Sequence, residues 1–281
     1  MSAALFPPEF FVELARQGAR QKMGMMGERP EARRGDQVPG FERRRWQTGD
    51  RRRHVDWRAT ARLGYPVVRS LERERGGHLC LVLDRSASMA PQNPNRDVAQ
   101  RRLGLALAWL ALEEGARISI FAGDAQVAQF SGWSRRAAVI PFLENLSAPA
   151  GTDVVHSLKH RPEAGSALHV ISDPWCSAET LQTWSLLTPG FQQCLWTSLI
   201  LPEENAPPKQ SLALQPAEGG PSMQVNLIED YAHFQNSWEV FRQAQREGLT
   251  AAGFHPVEVL CKKAELDAAG ILRRAARHGA L

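Results

Sequence analysis

The chain has 281 residues, of which 43% are hydrophobic and 23% charged, and its formal net charge is +4. This composition excludes a wholly disordered chain, and no apolar run approaches the roughly 18–20 residues that span a bilayer. The charge is uneven: residues 1–78 hold 17 Lys/Arg against 10 Asp/Glu, whereas residues 79–281 hold 17 against 20. A basic segment of this kind indicates binding to nucleic acid, to an anionic membrane or to an acidic face of the protein itself.

Cysteine usage and the first residues bear on the compartment. The four cysteines lie far apart, with no CxxC or zinc-type spacing, and three of them lie within or beside apolar runs: Cys80, Cys194 and Cys261. They are therefore predicted to be reduced core residues. A proline pair and a glutamate at residues 7–9 interrupt any signal-like segment, so the chain is predicted to be soluble and cytoplasmic.

From residue 79 onward, apolar runs alternate with stretches of helical periodicity. Buried strands are predicted at 79–83, 117–121, 167–171, 194–200 and 257–260. Helices are predicted at about 96–114, 134–146, 177–187, 231–247 and 263–278. An edge strand is predicted at 126–130, and a long loop at about 202–222, where five prolines occur.

This alternation is typical of an open, mostly parallel sheet with helices on both faces. The predicted fold is a doubly wound, Rossmann-like α/β domain over residues 79–281, preceded by a basic N-terminal extension over 1–78. Such sheets bind ligands at the carboxyl ends of their strands, near the point where the strand order reverses. Residues that follow the strands are therefore the candidates for function.

The sequence Asp84-Arg85-Ser86-Ala87-Ser88 directly follows the first buried strand. If this loop is extended, alternation points Asp84, Ser86 and Ser88 toward one place. Carboxylate and hydroxyl oxygens suit a hard divalent cation, Mg²⁺ first, with Mn²⁺ and Ca²⁺ as alternatives. The plainer alternative is that Asp84 and Ser86 cap the next helix.

Two further oxygen donors are predicted at equivalent places in the fold. Thr152 lies in a polar loop that follows a helix, and Asp173 follows the strand 167–171. Because three such loops can converge on one face of a sheet, the sequence predicts one cation site. Its residues are Asp84, Ser86, Ser88, Thr152 and Asp173.

The order and strand-end context of these five residues resemble the metal-ion-dependent adhesion site of von Willebrand factor A domains. The resemblance implies that Ser86, Ser88 and Thr152 bind the cation directly or nearly so. Asp84 and Asp173 are then expected to act mostly through water. One coordination position is left open for a carboxylate from a partner protein.

The upstream segment, about residues 35–78, is similar to that of the bacterial domain-of-unknown-function 58 family, whose members carry it before a von Willebrand A-like domain. The motifs are Gly40-Phe41-Glu42, Trp46, Gly49-Asp50, Arg53, Val55-Asp56-Trp57, Ala61-Arg62 and Leu71-Glu72-Arg73-Glu74. With the adjoining domain, the resemblance covers about residues 35–200. It implies an adaptor for a MoxR-type AAA+ ATPase in assembly or maturation of a protein complex, and no established catalytic activity.

Three interpretations of the upstream segment are open. In the first, its acidic residues and arginines form ion pairs against the sheet domain, with Trp46 and Trp57 packed as anchors. In the second, the segment binds nucleic acid through the arginine triplets at 43–45 and 51–53, although acidic residues among them argue against it. In the third, it docks a partner. The residues predicted to dock either the domain or a partner are Asp50, Arg53, Asp56, Trp57 and Arg62.

No catalytic constellation is found in the sequence. Neither a GxxxxGK[ST] phosphate loop nor a GxSxG elbow is present. The sequence therefore predicts a non-enzymatic, metal-dependent protein-binding module. The alternatives are a metal-dependent phosphoesterase, for which Asp153 is the nearest candidate base, and a nucleic-acid-binding protein acting through residues 43–58.

Overall fold

The structure is a computed structural model that describes residues 5–25, 41–46, 55–71, 77–89, 94–123, 126–147, 166–215, 220–262 and 268. Its α-helices are α1 (Pro8–Met25), α2 (Trp57–Leu63), α3 (Pro94–Glu113), α4 (Val139–Glu144), α5 (Ala178–Leu187), α6 (Pro202–Asn205) and α7 (Tyr231–Ala251). Its strands are β1 (Phe41–Arg45), β2 (Val67–Leu71), β3 (His78–Leu83), β4 (Arg117–Ala122), β5 (Gln126–Ser131), β6 (Ala167–Ser172), β7 (Gln193–Ile200), β8 (Ser211–Leu214), β9 (Met223–Asn226) and β10 (His255–Leu260).

The central sheet has six strands in the order β10-β7-β6-β3-β4-β5. All neighbouring pairs are parallel except β4 and β5. The prediction that β5 is an edge strand is confirmed, and the structure shows that it runs antiparallel to β4. The chain runs from β3 outward to β4 and β5, then returns to place β6 on the other side of β3. The strand order therefore reverses between β3 and β6, which is the switch point where such sheets bind ligands.

Strand β3 shows that both faces of the sheet are covered. Leu79, Leu81 and Leu83 belong to one buried cluster with side chains of α3 and α4. Cys80 and Val82 point the other way, into a second cluster with side chains of α5 and α7. Because successive residues of a strand face opposite sides, an uninterrupted apolar run is what a two-sided burial requires. The predicted mostly parallel α/β sheet is confirmed.

Part of the N-terminal extension packs on this domain. Phe6, Phe10 and Leu14 are buried in the same cluster as α3. The Nε of Arg102 in α3 also donates to the carbonyl oxygen of Leu5 (2.7 Å). The extension therefore contributes core residues ahead of the first sheet strand.

Residues 41–71 contribute a second, smaller sheet. Strands β1 and β2 pair antiparallel, and α2 lies between them in the chain. The backbone N of Trp46 donates to Pro66 O (2.9 Å), and Val67 N donates to the hydroxyl of Thr60 in α2 (3.0 Å). The first bond joins the end of β1 to the start of β2, and the second holds α2 against β2.

The structure corrects two predicted elements. The loop predicted at 202–222 contains α6 and β8, and β8 pairs antiparallel with β9. The helix predicted at 134–146 begins with a 3₁₀ segment at Trp133–Ala138 and is α-helical only from Val139. Pro141 explains this, because it lacks the N–H that would bond to the preceding turn. The helix predicted at 263–278 lies outside the described residues apart from position 268.

All four cysteines are free, and Cys80, Cys194 and Cys261 are buried, as predicted. None of the helices within the described ranges combines the length and apolar character that crossing a bilayer requires.

His169 in β6 should make folding stability depend on pH. Its ring is 1% exposed, its Nε2 lies 2.8 Å from Thr197 Oγ1, and burial lowers its pKa from 6.5 to about 3. Below pH 6.5 His169 is therefore protonated in the unfolded chain but stays neutral in the folded protein. The free energy of unfolding consequently decreases as the pH falls. The expected loss is about 1.4 kcal/mol per pH unit well below 6.5, or about 2.7 kcal/mol by pH 4.5.

The measurement is the free energy of unfolding in urea at pH 7.5 and 4.5 for the wild type and His169→Gln. Other titrating groups contribute equally to both proteins, so their difference isolates His169. The stability difference should shift in favour of the variant by about 2–3 kcal/mol at the lower pH. A difference that stays constant with pH contradicts the prediction.

Candidate metal centre

Asp84 and Asp173 lie on either side of the switch point between β3 and β6. Asp84 follows β3, and its backbone N donates to Ile171 O near the end of β6 (3.0 Å). Asp173 follows directly after Ser172, the last residue of β6. Both aspartates are almost fully buried, with 4% and 3% of their surface exposed. The structure therefore brings together these two predicted site residues.

The loop after β3 is folded around the Asp84 carboxylate. Asp84 Oδ1 accepts from the backbone N of Ser86 (2.8 Å), and Met89 N donates to Ser86 O (3.1 Å). This compact turn places the hydroxyl oxygens of Ser86 and Ser88 2.9 Å apart. Since α3 begins only at Pro94, these bonds organise the loop itself rather than the first turn of that helix.

Two side chains that the sequence analysis did not single out hold the strand ends together. The hydroxyl of Ser172 donates to Asp84 Oδ2. The Nε2 of Gln100, in α3, donates to both Asp84 O (3.0 Å) and Ile171 O (2.9 Å). The sequence contains only weak indications that these two residues belong to the site. Ser172 adjoins Asp173, and Gln100 is a polar residue on a mostly apolar helix.

Asp173 is held by bonds from the polypeptide on both sides of the crevice. Its Oδ1 accepts from the backbone N of Trp175 (2.8 Å), and its carboxylate also bonds to the Ser88 side chain. Burial, and after it the charge of Asp84, raises the pKa of Asp173 from 3.8 to about 7. The Ser88 bond and the charge of Arg96 oppose this rise. The Asp173 carboxyl is therefore protonated more readily than an exposed aspartate, and a positive charge beside it favours its ionised form.

The donor chemistry of this crevice fits a hard divalent cation. Carboxylates of Asp84 and Asp173 and hydroxyls of Ser86 and Ser88 are the oxygen ligands that Mg²⁺ and Ca²⁺ prefer. A bound cation also offsets the repulsion between the two buried carboxylates. Within the described ranges no three His, Cys, Asp or Glu side chains gather into a metal-binding group. A cation site here therefore needs the serine hydroxyls as ligands in addition to the two carboxylates, and also Thr152, which lies outside the described residues.

Arg85 ties the loop after β3 to the segment that leads toward Thr152. Its side chain is 3% exposed and donates to Asp97 (2.6 Å), to Gln100 Oε1 (3.1 Å) and to the carbonyl oxygen of Ser147. Burial lowers the pKa of Arg85, and Asp97 opposes that effect. Ser147, the last described residue after α4, is therefore hydrogen-bonded to the loop that carries Asp84, Ser86 and Ser88.

Arg96 ties the same loop to the end of β7. Its guanidinium, 2% exposed, donates to Ser88 O (3.3 Å) and Leu199 O (3.2 Å). It also pairs with both carboxylate oxygens of Glu204 in α6 at 2.5 Å. One buried cation thus links Ser88 to a strand two positions across the sheet from β3.

The docking residues predicted in the upstream segment have different surroundings. Asp56 is 3% exposed and caps α2 by accepting from Ala59 N (3.1 Å). Trp57 is 68% exposed and Trp46 36% exposed, so the prediction that they pack as anchors is wrong. Arg62 is exposed in the last turn of α2. Asp50 and Arg53 lie outside the described residues.

Fold and site together define an open α/β protein with paired carboxylates and hydroxyls at the switch point of its sheet. Residues 42–175, which are 134 of the 281, match the model of the family described as protein of unknown function DUF58. The match spans the upstream motif and both aspartates of the crevice. Over this range the match agrees with the family resemblance that the sequence indicates. No curated protein matches the chain.

Several solved structures are similar to this chain. The conserved hypothetical protein BatB from Bacteroides thetaiotaomicron is 17% identical with a TM-score of 0.43, over 72% of this chain and 100% of that one. An aerotolerance-related membrane protein from Bacteroides fragilis is 16% identical with a TM-score of 0.41, also over 72% and 100%. The PilB minor pilin from Streptococcus sanguinis is 10% identical with a TM-score of 0.42, over 76% and 64%.

Proposed function

We propose that the protein is a metal-dependent protein-binding module of the von Willebrand factor A type. A divalent cation, Mg²⁺ in the first place, is held by Asp84, Ser86, Ser88, Thr152 and Asp173. When bound, it supplies an open coordination position for an Asp or Glu side chain of a partner protein. The observation that carries the proposal is the convergence of two buried carboxylates and two hydroxyls at the switch point.

The energetics favour a site of this kind over a simple ion pair. A solvent-exposed ion pair contributes about 0–1 kcal/mol, because water screens it. A carboxylate bound to a cation in a crevice with buried walls gains more, since the local charge is larger and less screened. Arg85, Arg96 and Gln100 hold the described part of the loop after β3 in place, which lowers the entropy cost of binding at Asp84, Ser86 and Ser88.

The family resemblance suggests the partner. We propose that the module works in the cytoplasm as an adaptor for a MoxR-type AAA+ ATPase in the assembly or maturation of another protein complex. The adaptor role needs no chemistry from this chain itself. It requires only that the crevice bind a carboxylate reversibly, which a cation with an exchangeable position allows.

The test is binding of a purified MoxR-type ATPase from the same source, measured by biolayer interferometry with Mg²⁺ and with a chelator. A chelator also acts on the ATPase, so the decisive comparison uses Ser86→Ala/Ser88→Ala in Mg²⁺. We expect this variant to bind at least about 10-fold more weakly, because two of the cation's ligands are gone. The matched control is Ser185→Ala, which changes an exposed serine of α5 whose hydroxyl donates to Gln182 O of the same helix, and which should bind normally.

Equal binding by the double variant and the wild type contradicts the proposal. Turnover of a phosphate ester with Mg²⁺ or Mn²⁺, lost in the same double variant, would instead favour the phosphoesterase alternative.

A further inference from the structure

Trp175 is a large aromatic side chain beside the candidate metal centre that the proposed function does not use. Its backbone N lies 2.8 Å from Asp173 Oδ1, so its position in the chain is fixed by the site itself. Its side chain is nevertheless 56% exposed. The rim of the crevice therefore carries an apolar surface next to one of the two carboxylates.

The exposed ring of Trp175 packs on two aromatic side chains of α7. Its centroid lies 4.4 Å from that of Phe241 and 6.0 Å from that of Trp238, both in α7. These two supporting rings stack on each other at 5.6 Å with an interplanar angle of 19°. The next residue, Cys176, donates its backbone N to Gln245 Oε1 of the same helix (3.3 Å).

An exposed ring that is already immobilised loses little entropy when a partner covers it. Tryptophans of this kind dominate the binding energy of protein interfaces, because they bury a large area at a small ordering cost. Trp175 therefore has the properties of an interface anchor rather than of a core residue.

The distance to the crevice limits which part of a partner can reach this ring. An extended chain advances at most about 3.3–3.6 Å per residue. The backbone N of the residue that carries the ring lies 2.8 Å from Asp173 Oδ1, so a short extended stretch of a partner is enough to reach from the crevice to the ring. A partner that places a carboxylate in the crevice can therefore place a neighbouring side chain over Trp175.

We infer that Trp175 selects partners in which an apolar side chain stands within two residues of the metal-binding Asp or Glu. This inference rests on the proposed function and narrows it to a class of ligand, an acidic residue flanked by Leu, Phe, Tyr or Trp. The carboxylate supplies the metal ligand, and the apolar neighbour packs on the ring.

The experiment is selection from a library of displayed 12-residue peptides with a central Asp or Glu and random neighbours. The full-length protein is the bait in Mg²⁺, and bound peptides are released with a chelator. We expect the released pool to be enriched in apolar residues within two positions of the acid. The best peptide should bind Trp175→Ala at least about 10-fold more weakly than the wild type.

Three controls separate the ring from the rest of the site. Mg²⁺ binding by calorimetry should be unchanged in Trp175→Ala, because the bond to Asp173 comes from the backbone. Trp175→Leu keeps an apolar surface and should bind the peptide with intermediate affinity. Trp133→Ala removes a tryptophan of similar exposure, 44%, which follows edge strand β5, and should leave peptide binding unchanged.

The outcomes distinguish this inference from the proposed function. Peptides that need Mg²⁺ but show no apolar preference, or that prefer Lys or Arg beside the acid, overturn the inference and leave the proposed function standing. The same holds if Trp175→Ala binds the selected peptide as tightly as the wild type. If the chelator releases no peptides, or if the selected peptides bind equally well when their acid is replaced by Asn or Gln, both are overturned.

Discussion

Asp84→Asn should lower the affinity for Mg²⁺ by more than about 100-fold without unfolding the protein. Removing a hydrogen-bonding partner of a metal ligand typically costs 10–100-fold, and here a member of the carboxylate pair itself is neutralised. The substituted amide keeps an oxygen that can accept from Ser86 N, so the loop should retain its turn. Isothermal calorimetry with Mg²⁺ measures the loss directly.

Stability provides a second measurement of the same substitution. At a Mg²⁺ concentration 100 times the dissociation constant, the wild type should gain about 2.7 kcal/mol in free energy of unfolding, whereas Asp84→Asn should gain none. In chelator the two proteins should differ by no more than about 1 kcal/mol, because the weakened bond from Ser172 is offset by relief of the repulsion between Asp84 and Asp173.

The matched control for this pair of measurements is Asp230→Asn. Asp230 precedes α7, is exposed and makes no capping bond with its side chain, so this variant should behave as the wild type. Wild-type Mg²⁺ affinity in Asp84→Asn would remove Asp84 from the candidate centre.

Arg96→Met should destabilise the protein by about 3 kcal/mol. The substitution leaves the carboxylate of Glu204 without its cation and the carbonyl oxygens of Ser88 and Leu199 without that donor. Breaking a buried ion pair on one side costs about 3–5 kcal/mol, and the partial exposure of Glu204 places the expected value at the lower end. Urea unfolding followed by tryptophan fluorescence gives the free energy.

A matched arginine and a double variant test the reason for that loss. Arg246→Met removes a guanidinium that pairs with Glu239 and Glu258 at the surface, and should cost no more than about 1 kcal/mol. Arg96→Met/Glu204→Gln removes both buried charges and should recover at least about 1 kcal/mol of the single-variant loss. Equal losses in Arg96→Met and Arg246→Met contradict the assigned role.

Much of the sheet could be predicted because its strands are encoded locally. Burial on both faces requires an uninterrupted apolar run, and the strands predicted from such runs agree with the structure within two residues. The ribbon of β8 and β9 was missed for the opposite reason. Its four-residue strands are half exposed, and the prolines and glycines around them resemble a loop.

The partners of the site residues could be predicted only in part. Asp84 and Asp173 were assigned to one place because both follow buried strands. The bonds of Ser172, Gln100 and Arg96 depend on which strands are neighbours in the sheet. The spacing of apolar residues along the sequence does not reveal that order. The same applies to Trp57, whose ring was expected to be packed and is exposed.

By itself, the sequence determined the strand-forming runs, the resemblance to the family and the loop of oxygen donors after β3, because each depends on residues close together in the chain. Only the tertiary structure decided that β6 lies beside β3, so that two carboxylates far apart in sequence share one buried crevice. It also decided that Trp175 remains exposed at the rim. The physical reason is that burial and electrostatic coupling arise from contacts between distant segments, which are set by the order of the strands.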